Sequence, residues 1–152
     1  MYVFEKQNGV WEHADVFAGT QNTSFGISSA ISGNTAMIGA SADQVNGNFS
    51  GAVFVYERAG GVWAPAGKLS PADGDEFDQF GVSVGLSGDV AVIGAFRGEG
   101  NEAETGAAYV YERIAGVWTF AAKLTGDDGA ESDMFGSDVA VSGEIVGATE
   151  KP

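Results

Sequence analysis

Apolar positions along this chain alternate with small or polar ones over short stretches punctuated by glycine. Residues 79–87 place Phe80, Val82, Val84 and Leu86 on one face and Gly81, Ser83 and Gly85 on the other. That period of two predicts a β-strand with one face of small residues. Residues 89–95 are a continuous apolar run, Asp-Val-Ala-Val-Ile-Gly-Ala, which predicts a short buried strand. Over 106–113, Ala108 and Val110 share one face while Tyr109 and Tyr111 share the other, so layers are needed on both sides. Residues 116–124 align Trp118, Phe120 and Leu124 as a fourth strand. No stretch combines helical period with caps, and the pattern predicts an all-β chain.

The same pattern recurs. Tyr2-Val3-Phe4-Glu5-Lys6 returns as Phe54-Val55-Tyr56-Glu57-Arg58 and as Tyr109-Val110-Tyr111-Glu112-Arg113, followed each time by Gly-Val-Trp, at Trp11, Trp63 and Trp118. Phe25-Gly26, Phe80-Gly81 and Phe135-Gly136 lead to Ser32-Gly33, Ser87-Gly88 and Ser142-Gly143, and the set closes at Gly39-Ala40, Gly94-Ala95 and Gly147-Ala148. A unit of roughly 50 residues with four up-and-down strands, apolar on both faces, predicts a β-propeller of four-stranded antiparallel blades. A β-sandwich does not repeat its sequence, and a β-helix repeats at a much shorter period.

These landmarks resemble the FG-GAP repeat of integrin alpha-like β-propellers, in the subgroup marked by Phe-Gly-x-Ser-Val, Ser-Gly, Gly-Ala, Tyr-Val-Tyr-Glu-Arg, Gly-x-Trp and Lys-Leu. Phe80, Gly81, Ser83, Val84, Ser87, Gly88, Gly94, Ala95, Tyr56, Glu57, Trp63, Lys68 and Leu69 stand where that pattern wants them. The resemblance implies that the Phe-Gly strand is the innermost of each blade, and that the chain is a recognition or adhesion module outside the cell or on its surface. Residues 1–152 then read as one propeller segment of three blade-equivalents. The outer two strands of a blade fall in 1–20, full blades in 21–75 and 76–130, and the inner two strands of another in 131–152. Rings need about four or more blades, so the expectation is a partial propeller or one completed by an oligomer. In the latter case the chain is a structural self-assembly unit.

Composition narrows the partners. The 152 residues carry 7 Lys+Arg against 21 Asp+Glu, a net charge of -14, with one His and no Cys. A hydrophobic share of 44% is too high for a disordered acidic tail. The pI of about 4.1 excludes nucleic acid, whose phosphates require basic residues. No apolar run approaches the roughly 20 residues that span a bilayer, and the first residues lack the layout of a signal peptide.

The long connections, 41–50, 70–79, 96–105 and 125–134, all fall on one side of an up-and-down unit. They hold Asp43, Asp73, Asp75, Glu76, Asp78, Glu99, Glu102, Glu104, Asp127, Asp128, Glu131 and Asp133, opposed there only by Arg97. This acidic loop face is the candidate binding face for a protein or glycan, since long loops on a rigid scaffold carry function and a one-signed field favours a cationic partner. No cofactor is expected. The one metal candidate is a weak Ca²⁺ site, at Asp73, Asp75 and Asp78 and again at Asp127, Asp128 and Asp133, where hard oxygens cluster; it would fit a calcium-dependent, lectin-like carbohydrate-binding role. The resemblance, however, places the family's calcium loop between the first and second strands, where this chain has only Ser-Gly-Asn, Ser-Gly-Asp and Ser-Gly-Glu. Asp78 and Asp133, two residues before Phe-Gly, suit acceptance of turn N–H bonds.

Two motifs mimic enzymes. Gly81-Val82-Ser83-Val84-Gly85 spells a hydrolase elbow, but it lies within a strand, and the only histidine, His13, is upstream. Gly98-Glu99-Gly100-Asn101-Glu102-Ala103 precedes a strand where a dinucleotide site needs a helix. The expectation is a non-enzymatic chain, with Tyr56, Trp63, Tyr111 and Trp118 serving inter-blade packing.

Overall fold

The computed structural model describes residues 1–98, 105–127 and 133–150, and among these the chain forms strands and no helix. Strands β1 (Tyr2–Gln7) and β2 (Val10–Val16) make a two-stranded sheet. A four-stranded sheet follows, of β3 (Phe25–Ser32), β4 (Thr35–Ala40), β5 (Ala52–Ala59) and β6 (Val62–Leu69). A second contains β7 (Ser83–Ser87), β8 (Val90–Ala95), β9 (Ala107–Ile114) and β10 (Val117–Leu124), and β11 (Asp138–Ser142) with β12 (Ile145–Thr149) completes the set. Every pairing joins sequence neighbours in antiparallel register. The all-β class and the up-and-down order are those the periodicity predicts. The hairpins at Asn8-Gly9, Gly60-Gly61 and Ala115-Gly116 have positive φ at both positions, the pair of left-handed residues that matches strand twist in a two-residue turn.

The sheets stack face on face. One core joins Met37, Val53 and Val55 of the first four-stranded sheet to Phe80, Val84, Ala91, Ile93, Tyr109 and Tyr111 of the second. On the other side of the first, Ala36, Ile38 and Tyr56 meet Val3 and Phe17. On the far side of the second, Val92, Ala108 and Val110 meet Val139, Val141, Val146 and Ala148. The opposed burial of Ala108 with Val110 and Tyr109 with Tyr111 is therefore as the sequence predicts. Phe80, Met37, Ile38 and Ile93 are fully buried, each stabilising the stack by about 1.5–3 kcal/mol. The aromatic residues predicted to pack between units do so: Phe17 stacks on Tyr56 with centroids 4.2 Å apart and meets Trp63 edge-on, while Tyr111 and Trp118 pack in the core that holds Met37, Val53 and Val55 of the preceding sheet.

Between stacked sheets the backbones come close at one repeated corner. Phe80 and Phe135 leave their own sheets and bridge, in parallel, to Gly51 and Gly106 of the preceding sheet. Ser28 Oγ donates to Gly81 O at 2.7 Å, and Ser83 Oγ donates to Gly136 O at 2.8 Å. A Cβ on Gly39 would overlap Gly81 O, and one on Gly94 would overlap Gly136 O. Glycine is required there because another backbone occupies the space.

Three expectations are corrected. The strand over 79–87 begins only at Ser83, because Gly81 at φ 87° turns the chain; Val82 thus leaves the face shared by Phe80, Val84 and Leu86. Leu124 does not align with Trp118 and Phe120. The register with β9 slips between Phe120 and Ala122, and this bulge turns Leu124 to the face of Val92 and Val110. The β1–β2 and β5–β6 hairpins slip at the equivalent place. Finally, Gly147-Ala148 is not the counterpart of Gly94-Ala95. Gly81 N–H donates to Gly94 O and Gly136 N–H to Thr149 O, and the pair Ser83 with Gly94 corresponds to Asp138 with Thr149. Thr149 holds the glycine position and Asp138 the serine position.

This assignment separates two glycines that look alike in sequence. Gly94→Ala is expected to destabilise the fold by about 1–3 kcal/mol or more through overlap with Gly136 O, whereas Gly147→Ala, with open space around it, stays within about 1 kcal/mol of the parent. Urea unfolding checks both, and equal losses would contradict the assignment.

Candidate functional site

The β4–β5 and β6–β7 connections lie against each other and form the described part of the loop face. Phe77 N–H donates to Asn48 O at 2.8 Å, Gln79 N–H to Phe49 O at 2.9 Å and Phe80 N–H to Ser50 O at 3.0 Å. The Asn46 amide donates to Pro71 O at 3.0 Å. Within the first loop, Ser50 Oγ accepts from Asn46 N–H and Gly51 N–H donates to Asp43 O. Main-chain bonds hold most of the platform, and the Glu76 carboxylate adds to them by accepting from the Asn48 N–H and side-chain amide at 3.4 Å.

The acids predicted for a binding face divide by environment. Asp43 is buried and its carboxylate pairs with Lys68 Nζ at 2.7 Å. Asp78 is buried and accepts the Asp75 N–H at 2.8 Å, the turn role expected of it. Asp73 pairs with Lys123 Nζ at 2.7 Å. Asp75, Glu76, Arg97 and Asp127 are exposed, and Asp133 is half-buried. Glu99, Glu102, Glu104, Asp128 and Glu131 lie outside the described residues. Asp43 and Asp78 therefore present no charge to a partner, and Arg97 is not the lone cation of this face: Lys68 and Lys123 reach it from the ends of β6 and β10, each passing over the ring of Phe54 or Tyr109. Among the described residues no three acidic or histidine side chains converge as a metal site, so Asp73, Asp75 and Asp78 are not gathered around a common point.

The electrostatics follow this sorting. Partial burial raises Asp73, but the ammonium of Lys123 hydrogen-bonded to it outweighs that and holds the carboxyl below its ordinary range. Burial pushes Asp78 up, against the bond from Asp75. Burial also raises Tyr111 to about 12, helped by neighbouring Tyr109.

The hydrolase-like motif is structural here, while the dinucleotide-like motif Gly98-Glu99-Gly100-Asn101-Glu102-Ala103 lies, after Gly98, outside the described residues. Ser83 is buried and its Oγ is committed to Gly136 O. His13 sits on β2, edge-on to Tyr2 and Phe4. Two residues escaped the sequence reading: Phe49 and Phe77, whose rings stack at 6.0 Å on the loop face with 47% and 50% of their surface exposed. The signal was a departure from the repeat, since Phe77 stands where the first unit has Asn22 and the third Ser132.

The corners that join Phe-Gly to a preceding sheet's glycine coincide with a known sequence signature. The FG-GAP repeat family model matches residues 18–56, 63–111 and 118–151. The chain belongs to the FG-GAP repeat family. Its repeats suggest an integrin-like β-propeller module. No curated protein matches the chain. Among the described residues, no helix of this FG-GAP chain is long and apolar enough to cross a membrane.

The raised Asp78 gives a signed pH dependence. The folded chain holds this proton more tightly than the unfolded chain, so the stabilisation from protonation is complete below the ordinary value of 3.8 and is lost as pH rises through the raised folded value. Asp78→Asn keeps an acceptor for the Asp75 N–H without the charge. It is expected to raise Tm at pH 7 and to leave it unchanged near pH 3, as followed by circular dichroism. A lower Tm at pH 7 would contradict the burial argument.

Proposed function

We propose that this chain is a segment of an FG-GAP β-propeller acting as a non-enzymatic recognition module, outside the cell or on its surface, that presents the long-loop face to a protein or glycan partner. Its blades are 21–75 and 76–130, flanked by an outer half-blade in 1–20 and an inner half-blade in 131–152. The supporting observation is the bonding of the 41–51 and 70–80 loops to one another on a single side of the stack. Preorganised loops bind without a large ordering cost. Besides Asp73, which pairs with Lys123, the exposed acids of this face among the described residues are Asp75, Glu76 and Asp127, and Asp75 and Glu76 stand on the bonded loops.

A self-assembling reading is favoured by the free edges of β1 and β12, which in the four-stranded sheets correspond to strands that pair. The face of β11–β12 opposes it. A further Phe-Gly corner would need glycine and serine there and would meet Thr149 and Asp138 instead.

The recognition reading predicts that Asp75→Asn with Glu76→Gln lowers affinity for any bound partner about tenfold at low salt, a size expected for interface charges. Asp89→Asn, in the short turn between β7 and β8, leaves it unchanged. Surface plasmon resonance against an immobilised panel of cell-surface proteins and glycans provides the readout. Equal affinity of all three proteins would contradict the loop face as the binding surface.

A further inference from the structure

We propose that Phe49 and Phe77 form a clamp for an arginine side chain of a protein partner; this rests on the loop face being the recognition surface. Both rings are half-exposed and stack on each other with planes 15° apart. Both residues are left-handed, at φ 56° and 71°, a conformation disfavoured for bulky side chains. At position 77 the fold requires that backbone but not the phenylalanine, because Asn22 holds the equivalent place at φ 63° and asparagine tolerates it. Position 49 corresponds to Glu104 in the next unit. The chain thus keeps two aromatic rings in strained, solvent-facing positions that its own repeats fill with polar residues. Strain of this kind marks functional sites when the surroundings over-determine it, and here main-chain bonds from Phe77 N–H and to Phe49 O pin both residues.

Charge selects the occupant. Asp75 and Glu76 are exposed next to Phe77, Glu76 with its Oε1 accepting from Asn48 at 3.4 Å, while Lys68 and Lys123 are already taken by Asp43 and Asp73. In a chain of net charge -14, an aromatic pair edged by carboxylates attracts a cation. A guanidinium can lie flat on a ring while its N–H groups donate to a carboxylate beside it, which an ammonium does less well. A purely apolar partner would have to desolvate both acids without compensation.

The test is an NMR titration of the ¹⁵N-labelled chain with a capped Gly-Arg-Gly-Arg-Gly peptide at about 0.15 M salt, with the lysine counterpart and the neutral disaccharide cellobiose as comparisons. The expected result is amide shifts centred on 48–50 and 75–79, with binding of the lysine peptide about threefold weaker. Phe77→Asn, which installs the repeat's own residue, weakens the arginine peptide about fivefold without lowering Tm, and Phe77→Leu, which keeps apolar bulk but has no ring face, does the same. Unchanged affinity in both variants, equal binding of the lysine peptide, a response to cellobiose alone, or no shifts at all would overturn the clamp. If Asp75→Asn with Glu76→Gln abolishes binding while the Phe77 variants do not, the clamp fails but the loop face stands; shifts mapping elsewhere remove both.

Discussion

The structure depends on one close approach of backbones. At the two junctions of the second four-stranded sheet the Phe-Gly corner of one sheet leans on a glycine of the sheet before it, and a serine hydroxyl from that earlier sheet caps the carbonyl of the corner glycine. No side chain fits between them. The constraint accounts for glycine at 39 and 94, for serine at 28 and 83, and for the phenylalanine that buries its ring beneath the corner. Apolar contact between sheets supplies most of the cohesion, while the corner sets where each sheet sits. Asp138 and Thr149 replace both partners on the outer face of β11–β12, so that face is chemically unlike the two internal ones.

Fixing the sheets in this way fixes the loops. Because each Phe-Gly corner bridges to the strand start after a long loop, at Gly51 or Gly106, the loop before it and the segment leading into the corner are brought side by side. The loop face is a by-product of the junction, and its acids are not equivalent. Asp43 and Asp73 hold the lysines that end β6 and β10, and Asp78 holds a turn, so among the described loop-face acids the remaining exposed charge narrows to Asp75, Glu76 and Asp127. Recognition, on this account, uses a small part of a large negative charge.

Much of this was legible in the sequence. Strands and their two-sided burial were readable because the period of two repeats three times over, so each unit checks the others. The bulge after Phe120 was not, since one extra residue shifts a face without changing composition, and Leu124 was placed wrongly. Gly147-Ala148 misled because letters matched where the register did not; the pairing is counted from the Ser142-Gly143 turn, which puts Thr149 opposite Asp138. Loop length singled out the 41–50 and 70–79 connections, which lie bonded to each other, but only side-chain reach shows Lys68 and Lys123 neutralising acids there. Phe49 and Phe77 belong to no periodic pattern and stand out only when the repeats are compared for what differs.

The central claim, that the Phe-Gly corners set the two junctions on either side of the second four-stranded sheet, is tested most directly by native-state amide hydrogen exchange. Phe80, Gly81, Phe135 and Gly136 donate across or beside the junctions, and the account predicts that their amides exchange as slowly as those at the centres of β4 and β8, opening only with global unfolding. Exchange at these four positions as fast as in the Gly60-Gly61 hairpin turn would show that the corners are not what holds the sheets in place.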